Sequence, residues 1–176
     1  LGDVYKRQTY HIAIMPCTAK KMEAKRPEFQ HDGKPDVDLV LTTQEIIMMI
    51  KESGIRFAEL EGESPDLPFG MGTGAATIFG TTGGVMEAAL RTAYAYLTGH
   101  DAPQTLLQLE PVRGYEGVRE AQVEIGELTL QVAVVYGTAN ARRFLERMKE
   151  SGKQYHFVEV MACPGGCIGG GGQPKD

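Results

Sequence analysis

The stretch YHFVEVMACPGGCIGGGGQP, residues 155–174, is the most informative part of this chain of 176 residues. It begins as a β-strand, YHFVEV, and runs directly into a segment with two cysteines and six glycines among fourteen residues. Glycine lets backbone N–H groups approach a bound group closely, and Cys163 and Cys167 offer two soft thiolates from one short loop. The segment therefore predicts a binding loop for a metal–sulfur cofactor.

A third cysteine, Cys17, lies far upstream in MPCTAKKMEAKRPEF, residues 15–29. An iron–sulfur cubane usually takes four cysteine ligands, so three leave either an open position or a ligand from outside the chain. Two other interpretations remain open. Free cysteines, Cys17 above all, often only pack in the interior, and Cys163 could pair with Cys167, although three cysteines in all cannot pair completely.

Composition limits the possible functions. With 42% apolar and 23% charged residues, the chain is long enough for one globular domain with a sizeable core. A net charge of -5 with scattered basic residues argues against nucleic-acid binding, and no apolar run reaches the roughly 20 residues of a membrane helix. The expected compartment is the cytoplasm, where thiols stay reduced, with a periplasmic parent protein left open.

Residues 1–8, LGDVYKRQ, lack an initial methionine and share no pattern with the rest of the chain. They are interpreted as a non-native tail on a sequence that is truncated upstream. Residues 9–176 are then expected to form a single, partial domain.

The remaining pattern predicts alternating strands and helices. Residues 9–15 read as a buried strand that delivers its end to Pro16 and Cys17, and Thr42 with Glu45 forms a capping box ahead of a helix closed by Gly54. Further elements are an extended segment at 57–60, a long glycine-rich loop at 61–84, a helix at 85–98 with one apolar side, a hairpin of 120–125 and 128–136, and a helix at 138–151. The predicted class is α/β, with mixed sheets flanked by helices and with both cysteine loops at the C-terminal ends of strands.

Three motifs resemble a known family. MPCTAKKMEAKRPEF, then IFGTTGGVMEAALR at residues 78–91, then the stretch at 155–174 are similar, in order and approximate spacing, to the catalytic domain of iron-only (di-iron) hydrogenases. The resemblance extends over residues 9–174. It implies an H-cluster, in which a 4Fe–4S cubane is joined through a cysteine thiolate to a di-iron unit with carbon monoxide, cyanide and a bridging dithiolate. The implied reaction is the reversible reduction of two protons by two electrons to dihydrogen.

The resemblance also assigns roles by position. Cys17, Cys163 and Cys167 would be cubane ligands, with Cys167 also bridging to the di-iron unit. Lys20 would donate to an iron-bound cyanide and Glu23 would relay protons, whereas Lys21 is interpreted as an ordinary solvated surface lysine. The remaining residues assigned to the cofactor are Met15 and Met161, which would flank it, Phe79, which would seal the pocket, and Gly165, Gly166 and Gly169, whose amides would offset sulfur charge.

Two parts of the family pattern are missing from the sequence: an upstream cysteine motif with the fourth cubane ligand, and a C-terminal tail. The isolated fragment is therefore expected to be inactive. Implied partners are ferredoxin or an NAD(P)-linked electron-transfer subunit, together with the proteins that mature the di-iron unit. The alternative is a sensory or non-catalytic iron–sulfur relative of the same fold, although retention of Met15, Lys20, Glu23 and Met161 argues against an assembly protein.

Overall fold

The computed structural model describes residues 9–67 and 70–175, so the expected tail at residues 1–8 lies outside the described residues and stays a prediction. Within these ranges the α-helices are α1 (Lys20–Glu23), α2 (Thr43–Glu52), α3 (Ala75–Ile78), α4 (Gly84–Thr98) and α5 (Thr138–Ser151). The strands are β1 (Ile12–Met15), β2 (Gln30–His31), β3 (Lys34–Pro35), β4 (Leu39–Thr42), β5 (Glu110–Pro111), β6 (Val118–Ile125), β7 (Leu128–Tyr136) and β8 (Phe157–Met161). The predicted α/β class with mixed sheets is confirmed.

The chain divides into two compact units. The first contains the described residues 9–67 and 168–175, so it is built from two separate stretches of sequence. The second is continuous and contains the described residues 70–167.

In the first unit, β1 and β4 form a parallel pair that is in register from Ile12 to Met15. The prediction of a buried first strand is wrong, because Ile12 is 52% exposed and Ile14 is 56% exposed. Parallel strands usually read as apolar because both sheet faces are covered. In the described part of the chain, β1 pairs with β4 alone, so its apolar residues are not enclosed in that way.

Helix α2 follows β4 without a loop, and its start is fixed by the predicted capping box. The Thr42 hydroxyl accepts a hydrogen bond from the Glu45 N–H at 3.2 Å, and the Glu45 carboxylate accepts one from the Thr42 N–H at 2.7 Å. Two of the N–H groups that a helix N-terminus leaves unpaired are thereby satisfied. Gly54 follows the helix with a φ of 68°, which confirms the predicted end.

The second unit is built on a four-stranded sheet in the order β5-β6-β7-β8. Strands β6 and β7 form the predicted antiparallel hairpin around Gly126 and Glu127, and β8 lies parallel to β7 after the connection through α5. Strand β7 is central and apolar on both faces. Val132 and Val134 pack in one buried cluster with the side chains of α4, whereas Ala133 and Val135 pack in another with Phe144 of α5.

Helix α4 has nearly the predicted bounds and ends before Gly99, which has a φ of 72°. The apolar side predicted from the sequence included Ala89 and Leu97 but not Ala88. It is partly wrong, because Ala89 and Leu97 are exposed while Ala88 is buried. The helix is covered by two neighbours rather than one, since the sheet contacts Met86 and Leu90 and α3 also packs against it. Periodicity alone predicts a single buried stripe.

Two further predictions about local structure need correction. Residues 57–60 are not extended, because Phe57–Glu59 forms a 3-10 turn in which the Glu59 N–H donates to the Arg56 carbonyl at 2.9 Å. The glycine-rich loop before α4 contains the short helix α3, which was not predicted. No helix in the described residues has the length and apolar character needed to cross a membrane.

Candidate functional site

The loop that carries Cys163 and Cys167, the cysteine loop, begins directly after β8, as predicted. Cys163 and Cys167 are half-buried free thiols, and the Gly166 N–H donates to the Cys163 carbonyl at 3.1 Å, which closes a tight turn between them. Gly165 and Gly166 have φ values of 80° and 95°, a region of backbone conformation that favours glycine. The two glycines therefore allow one short loop to present both thiols.

This loop lies against the turn Gly80–Gly84, which leads into the first residue of α4 and belongs to the second motif. The Thr82 N–H donates to the Gly165 carbonyl at 3.1 Å. A Cβ atom on Gly166 would lie 2.5 Å from the Gly80 carbonyl oxygen and 2.7 Å from the backbone nitrogen of Thr82. The structure thus brings two of the three family motifs into direct backbone contact.

The hydroxyl of Thr82 is buried and has no hydrogen-bond partner among the described residues. An unpaired buried hydroxyl costs free energy, so it usually marks a group that is satisfied by a ligand or by water. Its backbone N–H is the group that contacts the cysteine loop. The residue is therefore a candidate hydrogen-bond donor to whatever the loop binds.

Glu159 is a buried carboxylate on β8 that sequence reasoning missed. It is 6% exposed, and its two oxygens accept hydrogen bonds from the N–H groups of Gly83 and Met86, both at 2.7 Å. The signal was a single charged residue within an otherwise apolar strand, since buried charges must be paired or hydrogen-bonded. Its two partners, however, lie more than 70 residues upstream, so the sequence could not identify them.

The first unit places three of the predicted site residues around one cavity of about 240 Å³. The Lys20 ammonium lies 2.5 Å from a carboxylate oxygen of Glu23, so two residues predicted to act on protons and ligands form an ion pair. Met15, at the end of β1, lines the same cavity, whose remaining wall includes Phe29 and Val40. Cys17 follows β1 as a half-buried free thiol.

Lys21 is not an ordinary solvated lysine. Its ammonium donates to the Val40 carbonyl at 3.0 Å and to the two Glu45 carboxylate oxygens at 2.9 and 2.7 Å. The bond from Lys21, with further hydrogen bonds from Thr42, lowers the pKa of the Glu45 carboxyl to about 2. The side chain therefore joins α1 to β4 and α2, a structural role that leaves Lys20 as the lysine directed to the cavity.

The other predicted site residues are Met161, Phe79 and Gly169. Met161 ends β8, and its carbonyl accepts a hydrogen bond from the Gly137 N–H at 2.8 Å. Phe79 follows α3 and is 47% exposed, and Gly169 ends a 3-10 turn that starts at Cys167. Their roles toward a cofactor stay predictions.

Part of the glycine run after Cys167 packs against protein rather than facing a ligand. The Gly172 N–H donates to the Pro16 carbonyl at 2.7 Å, and the Gly172 carbonyl accepts from the Gln44 N–H at 3.0 Å. A Cβ atom on Gly172 would lie 2.6 Å from Thr42 side-chain carbons. Close backbone packing therefore explains this glycine, which the sequence assigned to a cofactor-binding loop.

The donor set of the cysteine loop fits an iron–sulfur cluster. Among the described residues, no three histidine, cysteine or acidic side chains are placed to hold one metal ion. A cubane does not require that arrangement, because each thiolate binds a different iron atom. Two free thiols in one loop can bind such a cluster. Adjacent glycine amides and the Thr82 hydroxyl, which has no partner among the described residues, are of the kind that donate hydrogen bonds to its sulfurs.

Comparison with known proteins agrees with this chemistry. Residues 2–171 match the family model described as the iron only hydrogenase large subunit, C-terminal domain. The chain is 52% identical over 163 residues to the NADP-reducing hydrogenase subunit HndD of Solidesulfovibrio fructosivorans, an alignment that covers 93% of this chain and 27% of the relative. It thus spans about a quarter of that relative.

A solved structure supports the fold. An apo FeFe-hydrogenase from Chlamydomonas reinhardtii superposes with a TM-score of 0.79 at 39% identity, covering 97% of this chain and 50% of the other. The chain spans half of that protein.

A relative of another class also matches. The chain is 38% identical over 172 residues to cytosolic iron-sulfur assembly component 3 of Rattus norvegicus, covering 94% of this chain and 36% of the relative. The level of identity is lower than with the hydrogenase subunit. On the family match and the cysteine loop together, the chain belongs to the family of iron-only hydrogenase large subunits and corresponds to part of their C-terminal domain.

Proposed function

We propose that this chain is part of the catalytic domain of an iron hydrogenase, which interconverts protons, electrons and dihydrogen. The observation that supports this most directly is the half-buried pair of free thiols after β8, fixed against the Gly80–Gly84 turn by backbone contacts. Family membership supports the same reaction class.

The residues that would hold an H-cluster are the three cysteines. Cys163 and Cys167 would bind the cubane from one loop, with Cys167 also bridging to the di-iron unit, and Cys17 would be a third ligand. When bound, this group supplies the redox-active metal at which protons are reduced. The cubane takes four ligands and the sequence given has three cysteines, so we propose that the isolated chain has no appreciable turnover.

Lys20 and Glu23 would bind and move charge at the cavity of the first unit. The carboxylate of Glu23 holds the Lys20 ammonium at 2.5 Å and leaves its other N–H groups able to donate to an acceptor in the cavity. Apolar side chains such as Val40 and Phe29 line the same cavity and reduce its polarity, which strengthens hydrogen bonds to a charged donor. Glu23 would also accept a proton from a neighbouring donor and return it.

Met15 and Met161 would supply apolar, polarisable contacts that exclude water without offering protons. Phe79 would complete the seal, and the amides of Gly165 and Gly169 would donate to cluster sulfur. The Gly166 amide, predicted from the sequence for the same role, instead donates to the Cys163 carbonyl at 3.1 Å. The three free thiols favour a reducing compartment, and we retain the cytoplasm as the proposed location.

The electron partner is proposed as ferredoxin or an NAD(P)-linked subunit. The relative from Solidesulfovibrio fructosivorans is named as a subunit of an NADP-reducing hydrogenase, which supports the second choice. Dedicated di-iron maturation proteins would be needed in either case.

The test is anaerobic maturation of the full-length protein to which this sequence belongs. Infrared bands of iron-bound carbon monoxide and cyanide, together with hydrogen evolution, are the expected result. Lys20→Met should suppress evolution, whereas Lys51→Met, at an exposed position on α2, should leave it unchanged. Bands without appreciable evolution would instead indicate a sensory relative.

The second candidate function is that of a non-catalytic iron–sulfur protein. It is favoured by the 38% identity with the rat assembly component. A correctly formed cubane with no carbon monoxide or cyanide bands in the same experiment would establish it and exclude the hydrogenase reaction.

A further inference from the structure

The carboxylate of Glu159 is connected to the cysteine loop by an unbroken series of backbone contacts. One oxygen accepts from the Gly83 N–H, and Gly83 is bonded to Thr82, whose N–H donates to the Gly165 carbonyl. The other oxygen accepts from the Met86 N–H in the first turn of α4. The start of α4 and the loop from Cys163 are therefore linked through a single buried side chain.

The N-terminus of α4 needs such an acceptor. Its N-cap residue is Gly83, which has no side chain to accept from the first N–H groups of the helix. The Glu159 carboxylate accepts from the Met86 N–H in the first turn and from the N–H of the N-cap residue Gly83, and its charge interacts favourably with the helix dipole. Glu159 thereby fixes the position of the Gly80–Gly84 turn.

That turn packs tightly against the cysteine loop, so a movement of the turn would also move the loop. The backbone of Gly80 and Thr82 is so close to Gly166 that a Cβ atom there would lie within 2.7 Å of both. Glu159 also precedes Cys163 by only four residues on the strand that delivers the loop. Glu159 is therefore connected to the cysteine loop in two ways: through strand β8, which leads into the loop, and through the Gly80–Gly84 turn, which packs against it.

We propose that Glu159 is a positioning residue for the cysteine loop. Glu159 holds the Gly80–Gly84 turn against Gly165 and Gly166. It thereby sets the geometry of the Cys163 and Cys167 thiolates. This inference rests on the proposed function, because it assumes that the loop binds an iron–sulfur cluster. The inference assigns to Glu159 a role beyond capping α4. Substitution of Glu159 should alter the cluster more than a core substitution that lowers the stability of the chain by the same amount.

The decisive variant is Glu159→Gln. It keeps the size of the side chain, but its amide has one oxygen and one NH₂ group, so one of the two N–H donors faces another donor. Glu124→Gln is the matched control, since Glu124 is exposed on β6 of the same sheet. Val123→Ala is the control for stability, because Val123 is 1% exposed in the core beside α4.

The chain and its variants are reconstituted anaerobically with iron, sulfide and a small thiol as the fourth ligand. The readouts are iron and sulfide content, the paramagnetic resonance spectrum of the reduced cluster, and the rate at which a chelator removes iron. Glu159→Gln is expected to lose iron about tenfold faster, as substitutions around metal ligands typically do. Its resonance spectrum should change, whereas Glu124→Gln and Val123→Ala should give the wild-type spectrum.

The outcomes separate the two proposals. Failure of the wild-type chain and of Glu124→Gln to bind any cluster would overturn the proposed function. A wild-type cluster with Glu159→Gln indistinguishable from Val123→Ala at matched stability would overturn the positioning role alone.

A second measurement avoids the risk that Glu159→Gln does not fold. In the wild-type chain, hydrogen exchange at the Gly83 and Met86 amides should slow when the cluster binds, because coupling between two sites is reciprocal. The Val132 amide, in the core of β7, serves as the reference. Equal exchange at Gly83 and Met86 with and without the cluster would contradict the inference.

Discussion

The Thr82 N–H donates a hydrogen bond of 3.1 Å to the carbonyl oxygen of Gly165. This bond joins two motifs that are more than 80 residues apart in the sequence. It makes the turn before α4 part of the cysteine loop's immediate environment, so substitutions in either segment should be felt in the other.

Gly166→Ala should destabilise the second unit much more than Gly165→Ala. Both residues have positive φ, so an alanine at either position costs about 1 kcal/mol of backbone strain. Only at Gly166 would the new Cβ atom overlap the backbone of Gly80 and Thr82, which adds about 2 kcal/mol of overpacking. Denaturant unfolding of the two variants measures the difference, and equal midpoints would refute the close approach of the turn.

Thr82→Val should leave the stability of the cluster-free chain unchanged or slightly raised. The Thr82 hydroxyl is buried without a partner among the described residues, so its removal loses no hydrogen bond there. Thr42→Val is the matched comparison, because the Thr42 hydroxyl caps α2 and its loss should cost about 1 kcal/mol. Thermal unfolding of both variants tests this, and a comparable loss for the two would show that the Thr82 hydroxyl has a partner.

The ion pair of Lys21 and Glu45 should make stability fall in acid. The pKa of Glu45 is lowered from 4.5 to about 2 in the folded chain, chiefly by the hydrogen bond from Lys21. Its contribution is therefore complete above pH 4.5 and is lost as the pH falls through about 2, because the unfolded chain takes up the proton first. Both side chains are partly exposed, so high salt should weaken the effect.

Thermal unfolding of Glu45→Gln across this range checks the prediction. The variant should be less stable than wild type at neutral pH, and the gap should close near pH 2. Glu52→Gln, at an exposed site on the same helix, should show no such pH-dependent gap. A gap that stays constant with pH would mean that ionisation of Glu45 does not contribute.

The phenol of Tyr155 should respond in opposite directions to two substitutions. Burial and the hydrogen bond to Glu120 raise the pKa of Tyr155 above 10.0, whereas the nearby Lys153 ammonium lowers it. The pKa of Tyr155 should therefore fall in Glu120→Gln, while remaining raised by burial, and should increase further in Lys153→Met. Magnetic resonance titration of labelled tyrosine, assigned with Tyr155→Phe, measures both shifts. A change of the Tyr155 pKa in the same direction in both variants would exclude this account of its contacts with Glu120 and Lys153.

The elements that could be predicted from the sequence are those with local signals. The capping box at Thr42, the glycine that ends α2 and the turn between the two strands of the hairpin depend only on neighbouring residues, and all three are confirmed. Both cysteine motifs also follow strands as predicted.

The errors concern features that depend on distant partners. The exposure of Ile12, the structural role of Lys21 and the pairing of Glu159 with α4 are decided by segments far away in the sequence. The same is true of Gly172, whose lack of a side chain is explained by Pro16 and Thr42. For the candidate site, the sequence thus predicted which residues would bind a cofactor, and it missed Glu159, which supports the loop that carries two of them.

The bond from Gly172 to Pro16 has a consequence for synthesis of the chain. The first unit combines residues 9–67 with residues 168–175, whereas the second unit is continuous. Because a ribosome delivers the polypeptide from its N-terminus, residues 70–167 can complete their sheet while β1 and α2 still lack Gly172. The first unit can therefore be completed only after Gly172 has emerged, so its folding lags behind the synthesis of β1 by the entire length of the second unit.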